Sequence, residues 1–264
     1  MKKKMVIMVC LGLLLIGSGI AYADITTGLI AYYPFTGNAV DTAGGNNGTV
    51  YNAALTADRF GNSNSAYYFN GMSTLSGGGS YIQLAENFDF IHMGDLTFSA
   101  WVKPAGNSGF IFHQGNGGQI YLTSSGESAN LVAHLANGNW YAAADDELLA
   151  QDTWVNLTGV YKARNQNELW VNGNLVDTTS LADSNLFNVT WSDYFYAGMG
   201  AYRESWYPDR LTGAFTGAID DFRIYNRALT QADIMELAGT SPVPEPSSLL
   251  LLGTGLISFL RRKR

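Results

Sequence analysis

The chain has 264 residues, 30 glycines against 6 prolines, 13% aromatic side chains and a formal net charge of −7. That length suits one turn-rich β domain of roughly 200–250 residues, and the glycine and aromatic content argues against an architecture of long helices. Between Asp24 and Val243, eight basic residues face 21 acidic ones, a formal −13, which excludes a nucleic-acid-binding surface as the organising function. Cys10 is the single cysteine, so no intramolecular disulfide forms.

The N-terminus reads as a secretory signal peptide, residues 1–23. Lys2 to Lys4 are followed by the apolar run Met5 to Ile16 and by Ala21-Tyr22-Ala23, an A-x-A site for signal peptidase before Asp24. The apolar run is too short for a comfortable membrane span.

Short strands separated by turn clusters follow, the pattern of a sandwich. Strands are expected at Gly28 to Phe35, Ala66 to Asn70, Ser80 to Leu84 and Leu96 to Lys103. The polar stretch Thr36 to Thr49 is read as a loop without regular structure. In Leu96 to Lys103, Leu96, Phe98, Ala100 and Val102 alternate against Thr97, Ser99, Trp101 and Lys103. Further strands are expected at Gly109 to His113, Gln119 to Thr123, Asn130 to Leu135 and Thr153 to Tyr161. Glu168 to Thr178 is a hairpin, because Asn172-Gly173 favours the positive φ angles of a type I′ turn. Two more strands are expected at Leu186 to Trp191 and Tyr194 to Gly198. The last long strand, within Gly217 to Leu229 (GAIDDFRIYNRAL), places Asp220 on the face of Phe222 and Ile224 if period 2 holds throughout. Thr230 then caps a short helix, with Asp233 in the capping-box position and Gly239 as the stop.

Six blocks carry a resemblance: GLIAYYPFTGNAVDTAGGNNGT, DRFGNSNSAYYFNG, LTFSAWVKP, TWVNLTGVY, ELWVNGNLV and GAIDDFRIYNRALT. In that order they resemble bacterial laminin G-like domains of the concanavalin A-like fold. The resemblance implies an all-β jelly-roll sandwich of two antiparallel sheets over residues 24–240, with one short C-terminal helix before the tail. Residues 115–152 and 193–209 match it weakly, which makes them the places for a private function.

The tail, residues 241–264, has three parts: a box containing Pro244-Glu245-Pro246, the apolar segment Leu249 to Leu260, and Arg261-Arg262-Lys263-Arg264. It resembles the PEP-CTERM sorting signal of Gram-negative bacteria that make exopolysaccharide. As a helix the twelve-residue apolar segment spans about 18 Å, short of a ~30 Å hydrocarbon core unless flanking residues take part. The resemblance implies transient anchoring in the inner membrane, then cleavage by an exosortase-type protease.

Two sites are expected. Asp41 and Asn47, in the loop after the first strand, meet Asp220 if the first and last strands lie side by side as in the family; such oxygens suit a structural Ca²⁺ ion. Trp140, Trp191, Tyr202, Trp206 and Tyr207 fall in the poorly matching loops and are candidate platforms for carbohydrate, since aromatic side chains are enriched at binding surfaces. Trp101, Trp154 and Trp170 sit in strand blocks and are read as packing residues.

Catalysis finds little support. Glucanases of this fold share an E-x-D-x-E strand motif that is absent here, and Asp145-Asp146-Glu147 are consecutive rather than alternating. His92, His113 and His134 lack metal-ligand spacing. The expected function is that of an exported, non-catalytic adhesive or structural protein of an exopolysaccharide matrix or biofilm. The rival readings are a glycoside-active enzyme with an unusual site and an inert spacer.

Overall fold

The computed structural model describes residues 24–240, except 86–87, 89, 107–108, 115–119, 126–127, 146, 148, 187–196 and 204–206. The signal peptide, the sorting tail and the strands expected across residues 187–196 therefore lie outside the described residues.

In chain order the strands are β1 (Leu29–Tyr33), β2 (Gly48–Tyr51), β3 (Ala54–Thr56), β4 (Ala66–Asn70), β5 (Tyr81–Leu84) and β6 (Leu96–Pro104). Then come β7 (Gly109–Gln114), β8 (Ile120–Ser125), β9 (Ser128–His134), β10 (Trp140–Ala144), β11 (Val155–Lys162), β12 (Gln166–Val171) and β13 (Asn174–Ser180). The last are β14 (Gly198–Met199), β15 (Tyr202–Arg203), β16 (Leu211–Thr212) and β17 (Thr216–Tyr225), before helix α1 (Gln231–Leu237).

Two antiparallel sheets form the sandwich. The first runs β13-β12-β11-β6-β17-β4-β3, with β1 also on β17; the second runs β10-β9-β8-β7-β14-β5-β2. Their inner faces enclose one core that includes Tyr33, Phe69, Phe98, Phe112 and Phe222. Its rings stack in a chain, Phe98 on Phe112 at 5.3 Å and Phe112 on Phe222 at 5.1 Å between centroids. At one side of the sandwich the two sheet edges are stitched together. The Ala144 amide donates to Asp177 Oδ2 at 2.9 Å, and Thr179 Oγ1 donates to the Ala142 carbonyl at 2.6 Å. These bonds use backbone groups that a bare edge would leave to water or to another chain.

The expected long strands are present, and the Asn172-Gly173 turn has φ of 49° and 79°. The expected loop Thr36 to Thr49 is shorter than read, because β2 begins at Gly48. Short strands β3, β10, β15 and β16 carry too few alternating positions to be read in sequence.

The main correction concerns β17. Its partner register on β6 slips by one residue between Asp220 and Arg223, and Asp221 has φ of 50°. Ile219, Phe222 and Ile224 all enter the core, while Asp220 stands opposite Trp101 on the outer face. A β-bulge is an extra residue that resets the alternation, so Asp220 does not share the face of Phe222. The same point divides the strand's neighbours: β4 pairs with Thr216 to Ile219, and β1 with Phe222 to Tyr225.

Helix α1 closes the outer face at one end. Thr230 and Asp233 form the expected capping box, and the amides of Gly239 and Thr240 donate to the carbonyls of Glu236 and Met235, the paired bonds of a Schellman stop. Ile234 and Leu237 pack with Trp170, Val160, Tyr225 and Leu229.

Candidate functional site

On β6 the outer positions Thr97, Ser99, Trp101 and Lys103 change character along the strand. Thr97 lies buried under the segment leading to α1, donating to the Arg227 carbonyl at 2.8 Å and accepting from the Leu229 amide at 3.1 Å. Beyond the end of α1 the face opens. Trp101 and Lys103 are half-buried, and Trp101 Nε1 reaches the Leu237 carbonyl at 3.2 Å.

A cleft of about 380 Å³ occupies this opening, lined by Arg59, Phe60, Trp101, Trp154 and the helix end Glu236 to Gly239. A second hollow of about 170 Å³ shares Trp154 and continues over Tyr68, Lys103 and Ala218, with Asp58 and Asp152 at its sides. The register explains that floor: Tyr68 faces Ala218, and Ala218 faces Lys103 across three strands. Alanine leaves the depression between the larger side chains.

The turn over the cleft is built by Asp58. Its Oδ1 accepts the amides of Phe60 and Asn62 at 2.8 Å each, and its Oδ2 accepts Asn62 Nδ2 at 2.8 Å. These donors hold its carboxyl below the usual carboxylate range despite the opposing effect of burial. The turn sends Arg59 inward and leaves Phe60 73% exposed. Arg59 lies over the rings of both Phe60 and Trp101, at 4.4 Å and 4.7 Å.

Beneath it, Arg59 Nη1 bridges Asp220 Oδ2 at 2.8 Å and Asp221 Oδ2 at 2.6 Å. Asp221 Oδ1 accepts from Tyr32 Oη at 2.5 Å and pairs with Arg223 at 3.3 Å. Burial, and then the charge of Asp221, push Asp220 up to about 7 against the pull of Arg59.

The three residues expected to bind calcium have separate partners. Asp41 Oδ1 accepts the amides of Tyr32, Ala43 and Gly44, and its Oδ2 accepts that of Asn46. Asn47 Oδ1 accepts the Asp41 amide at 3.0 Å. This pair organises the loop after β1, whereas Asp220 answers to Arg59. Among the described residues no group of three or more His, Cys, Asp or Glu is placed to hold a metal ion.

Of the five aromatics expected to bind carbohydrate, three are among the described residues, on different elements. Trp140, 51% exposed, stacks on His134 at 4.0 Å on the edge strand β10. Tyr202 packs on buried His113 at 4.1 Å, and Tyr207 is exposed in the same loop region. Trp191 and Trp206 lie outside the described residues. Trp170 packs as expected, but Trp101 and Trp154 line the cleft instead. Of the acidic cluster, Asp145 and Glu147 border a separate hollow with Asp177. There Asp145 and Asp177 accept the amides of Glu147 and Ala144.

The profile of the concanavalin A-like lectin/glucanase superfamily matches residues 76–235, more than half of the chain. The chain belongs to this superfamily. The profile of the PEP-CTERM protein-sorting motif matches residues 242–264, which include Pro244, Glu245 and Pro246. That motif implies export, membrane-associated sorting and processing by exosortase-type machinery. Among the described residues no helix is long and apolar enough to cross a membrane.

Among solved structures, domain 4 of AbnA, a GH43 extracellular arabinanase from Geobacillus stearothermophilus in complex with arabinotriose, is similar at 21% identity with a TM-score of 0.58. The match covers 80% of this chain and 98% of that one. The binding domain of botulinum neurotoxin DC is similar in two complexes, with rat synaptotagmin II and with SialylT. Both are 15% identical, with TM-scores of 0.61 and 0.60, and each covers 82% of this chain and 52% of the other. The superfamily domain thus spans about half the length of the toxin binding domain, and the likeness is one of fold. No curated protein matches the sequence.

Proposed function

We propose that this protein is an exported, non-catalytic carbohydrate-binding module, an adhesive or structural component of an exopolysaccharide matrix. In this reading signal peptidase removes residues 1–23, and exosortase-type processing releases the domain from the inner membrane to the cell surface or matrix. The observation that carries the reading is the open cleft in which Phe60, Trp101 and Trp154 share one wall system with polar groups at its ends. Sugars bind with a ring face on an aromatic side chain and with hydroxyl groups on flanking polar atoms, a combination suited to a concave site of this composition. Two proteins of similar fold are seen with the saccharides arabinotriose and SialylT, which supports the fold as a host for sugar recognition. Two of the carboxylates around the cleft are engaged, Asp58 by amides and Asp220 by Arg59, which takes both out of the acid and nucleophile roles that hydrolysis needs.

The test is retention of the protein on a panel of bacterial polysaccharides. Removing a central aromatic anchor costs on the order of 1–2 kcal/mol, roughly tenfold in affinity. Trp154→Ala is therefore expected to weaken retention roughly tenfold, with Phe60→Ala in the same direction. Trp140→Ala and Tyr207→Ala are expected to leave it unchanged. Loss with Trp140→Ala or Tyr207→Ala and not with Trp154→Ala would move the site to those aromatics. An absence of retention on every glycan would leave a structural surface protein.

A further inference from the structure

The cleft lies at the exit of the sorting tail. Helix α1 ends on its rim, since Glu236 to Gly239 are lining residues. The Schellman bonds fix Thr240 there, and the Thr240 side chain lies against the β12–β13 turn, so close that a Cβ on Gly173 would meet its Oγ1 at 2.5 Å. The chain then continues Ser241-Pro242-Val243-Pro244-Glu245-Pro246, placing half of its six prolines in five consecutive positions. Alternating prolines hold an extended, polyproline-like backbone that loses little entropy on binding, and aromatic-lined grooves are the usual receptors for such segments. At ~3.1 Å per residue, Thr240 to Glu245 reaches about 15 Å, and the cleft that begins at Gly239 shares Trp154 with the second hollow.

Charge supports the same path. Glu245 is the only charged residue between Glu236 and Arg261. Lys103, in the second hollow, makes no ion pair among the described residues, all of the recorded pairs being made by other cations.

We propose that the Pro-Glu-Pro segment, residues 241–247, docks in cis into this cleft, its prolines against Phe60, Trp101 and Trp154 and the Glu245 carboxylate toward Lys103. The domain then holds its own sorting signal until the processing machinery draws it out, and the cleft is open to other ligands only after release. The inference goes beyond the glycan reading and does not depend on it, because a domain that binds no sugar can still hold its tail.

The experiment places a photo-reactive residue in the cleft of the intact chain in detergent micelles. Phe60→p-benzoylphenylalanine suits this, because the Phe60 side chain is largely exposed and the substitution spares the core. Irradiation is expected to cross-link position 60 to residues 241–247 of the same chain, read by mass spectrometry of the digest. Simple nearness of the tail is separated from docking by Pro242→Ser, Pro244→Ser and Pro246→Ser made together, positions that follow residues 24–240 in sequence and leave the sandwich strands unaltered. Docking predicts that this variant loses at least about fivefold in cross-link yield, the effect of about 1 kcal/mol. Glu245→Lys is expected to lower the yield in the same direction. An unchanged yield in the triple variant, a cross-link elsewhere in the chain, or a cross-link to a second copy would overturn the proposal. Glycan retention is measured separately, so its failure does not alter this result.

Discussion

Asp220 is buried beside a second carboxylate with Arg59 shared between them, and this decides how the protein responds to pH. In the folded chain Asp220 keeps its proton up to about 7, whereas an unfolded aspartate releases its proton near 3.9. Its contribution to stability is therefore complete below about pH 4 and is lost as pH rises through 7. His113 acts in the other direction. Burial lowers it to about 3, so its contribution is complete above the unfolded value of about 6.5 and is lost as pH falls. The two effects oppose one another between pH 4 and 6.5; above 6.5 the His113 contribution is complete while the Asp220 loss continues through 7. Thermal melts across pH 6.5–8 are expected to fall for the native sequence and to stay level for Asp220→Asn. Parallel curves for the two proteins would mean that Asp220 is ionised throughout and held by Arg59. The same guanidinium supplies the positive charge that a cation would bring to Asp220, so EDTA is expected to leave the melting temperature unchanged. A drop of several degrees that calcium restores would place a metal site elsewhere in the chain.

At the scale of elements, helix α1 is seven residues long, too short to persist alone, and its cap and its packing decide its stability. Thr230→Ala removes the side chain that accepts the Asp233 amide and is expected to cost about 1 kcal/mol in urea denaturation. Asp233→Ala is expected to cost more, because Asp233 also pairs with Arg227 at 2.9 Å and accepts the Asp24 amide. A smaller loss for Asp233→Ala than for Thr230→Ala would contradict this account. The cap was legible in sequence because the whole motif lies within four residues, and the same holds for the Asn172-Gly173 turn and the alternation of β6. The bulge in β17 was not legible, since two consecutive aspartates do not announce that Asp221 takes a positive φ, and period 2 then misplaced Asp220. Alternation correctly put Trp101 on the outer face of β6. It could not say whether that face is covered, because the cover comes from far along the chain: the segment leading to α1 hides Thr97, and α1 ends at Leu237, whose carbonyl meets Trp101. Arg59 likewise meets Asp220 only through the tertiary fold, a partner that nothing in the sequence around Asp220 announces.

At the scale of the whole molecule, the N-terminal segment is fastened to the C-terminal helix. The Asp24 amide donates to Asp233 Oδ1 at 2.8 Å, Arg227 binds the Asp24 and Thr27 carbonyls, and Tyr225 Oη donates to the Ile25 carbonyl at 3.1 Å. Cleavage after Ala23, as the A-x-A site predicts, converts that donor from an amide into the α-ammonium of a new N-terminus. Charge-assisted hydrogen bonds are roughly twice as strong as neutral ones, so export would tighten the contact between the two ends of the domain. The mature chain is therefore expected to be more stable than one retaining Tyr22-Ala23 by roughly 1–2 kcal/mol, a few degrees in melting temperature for a domain of this size. The sign of the pH dependence follows from the ammonium gaining a partner. Its folded pKa rises above the unfolded value of about 7.8, so the advantage is complete below that pH and is lost as pH rises through the folded value. Asp233→Asn should abolish the difference between the two chain lengths. Melting both lengths at pH 6.5 and again at pH 10 checks the account: an equal advantage at both values would assign it to the removal of two residues rather than to the new charge.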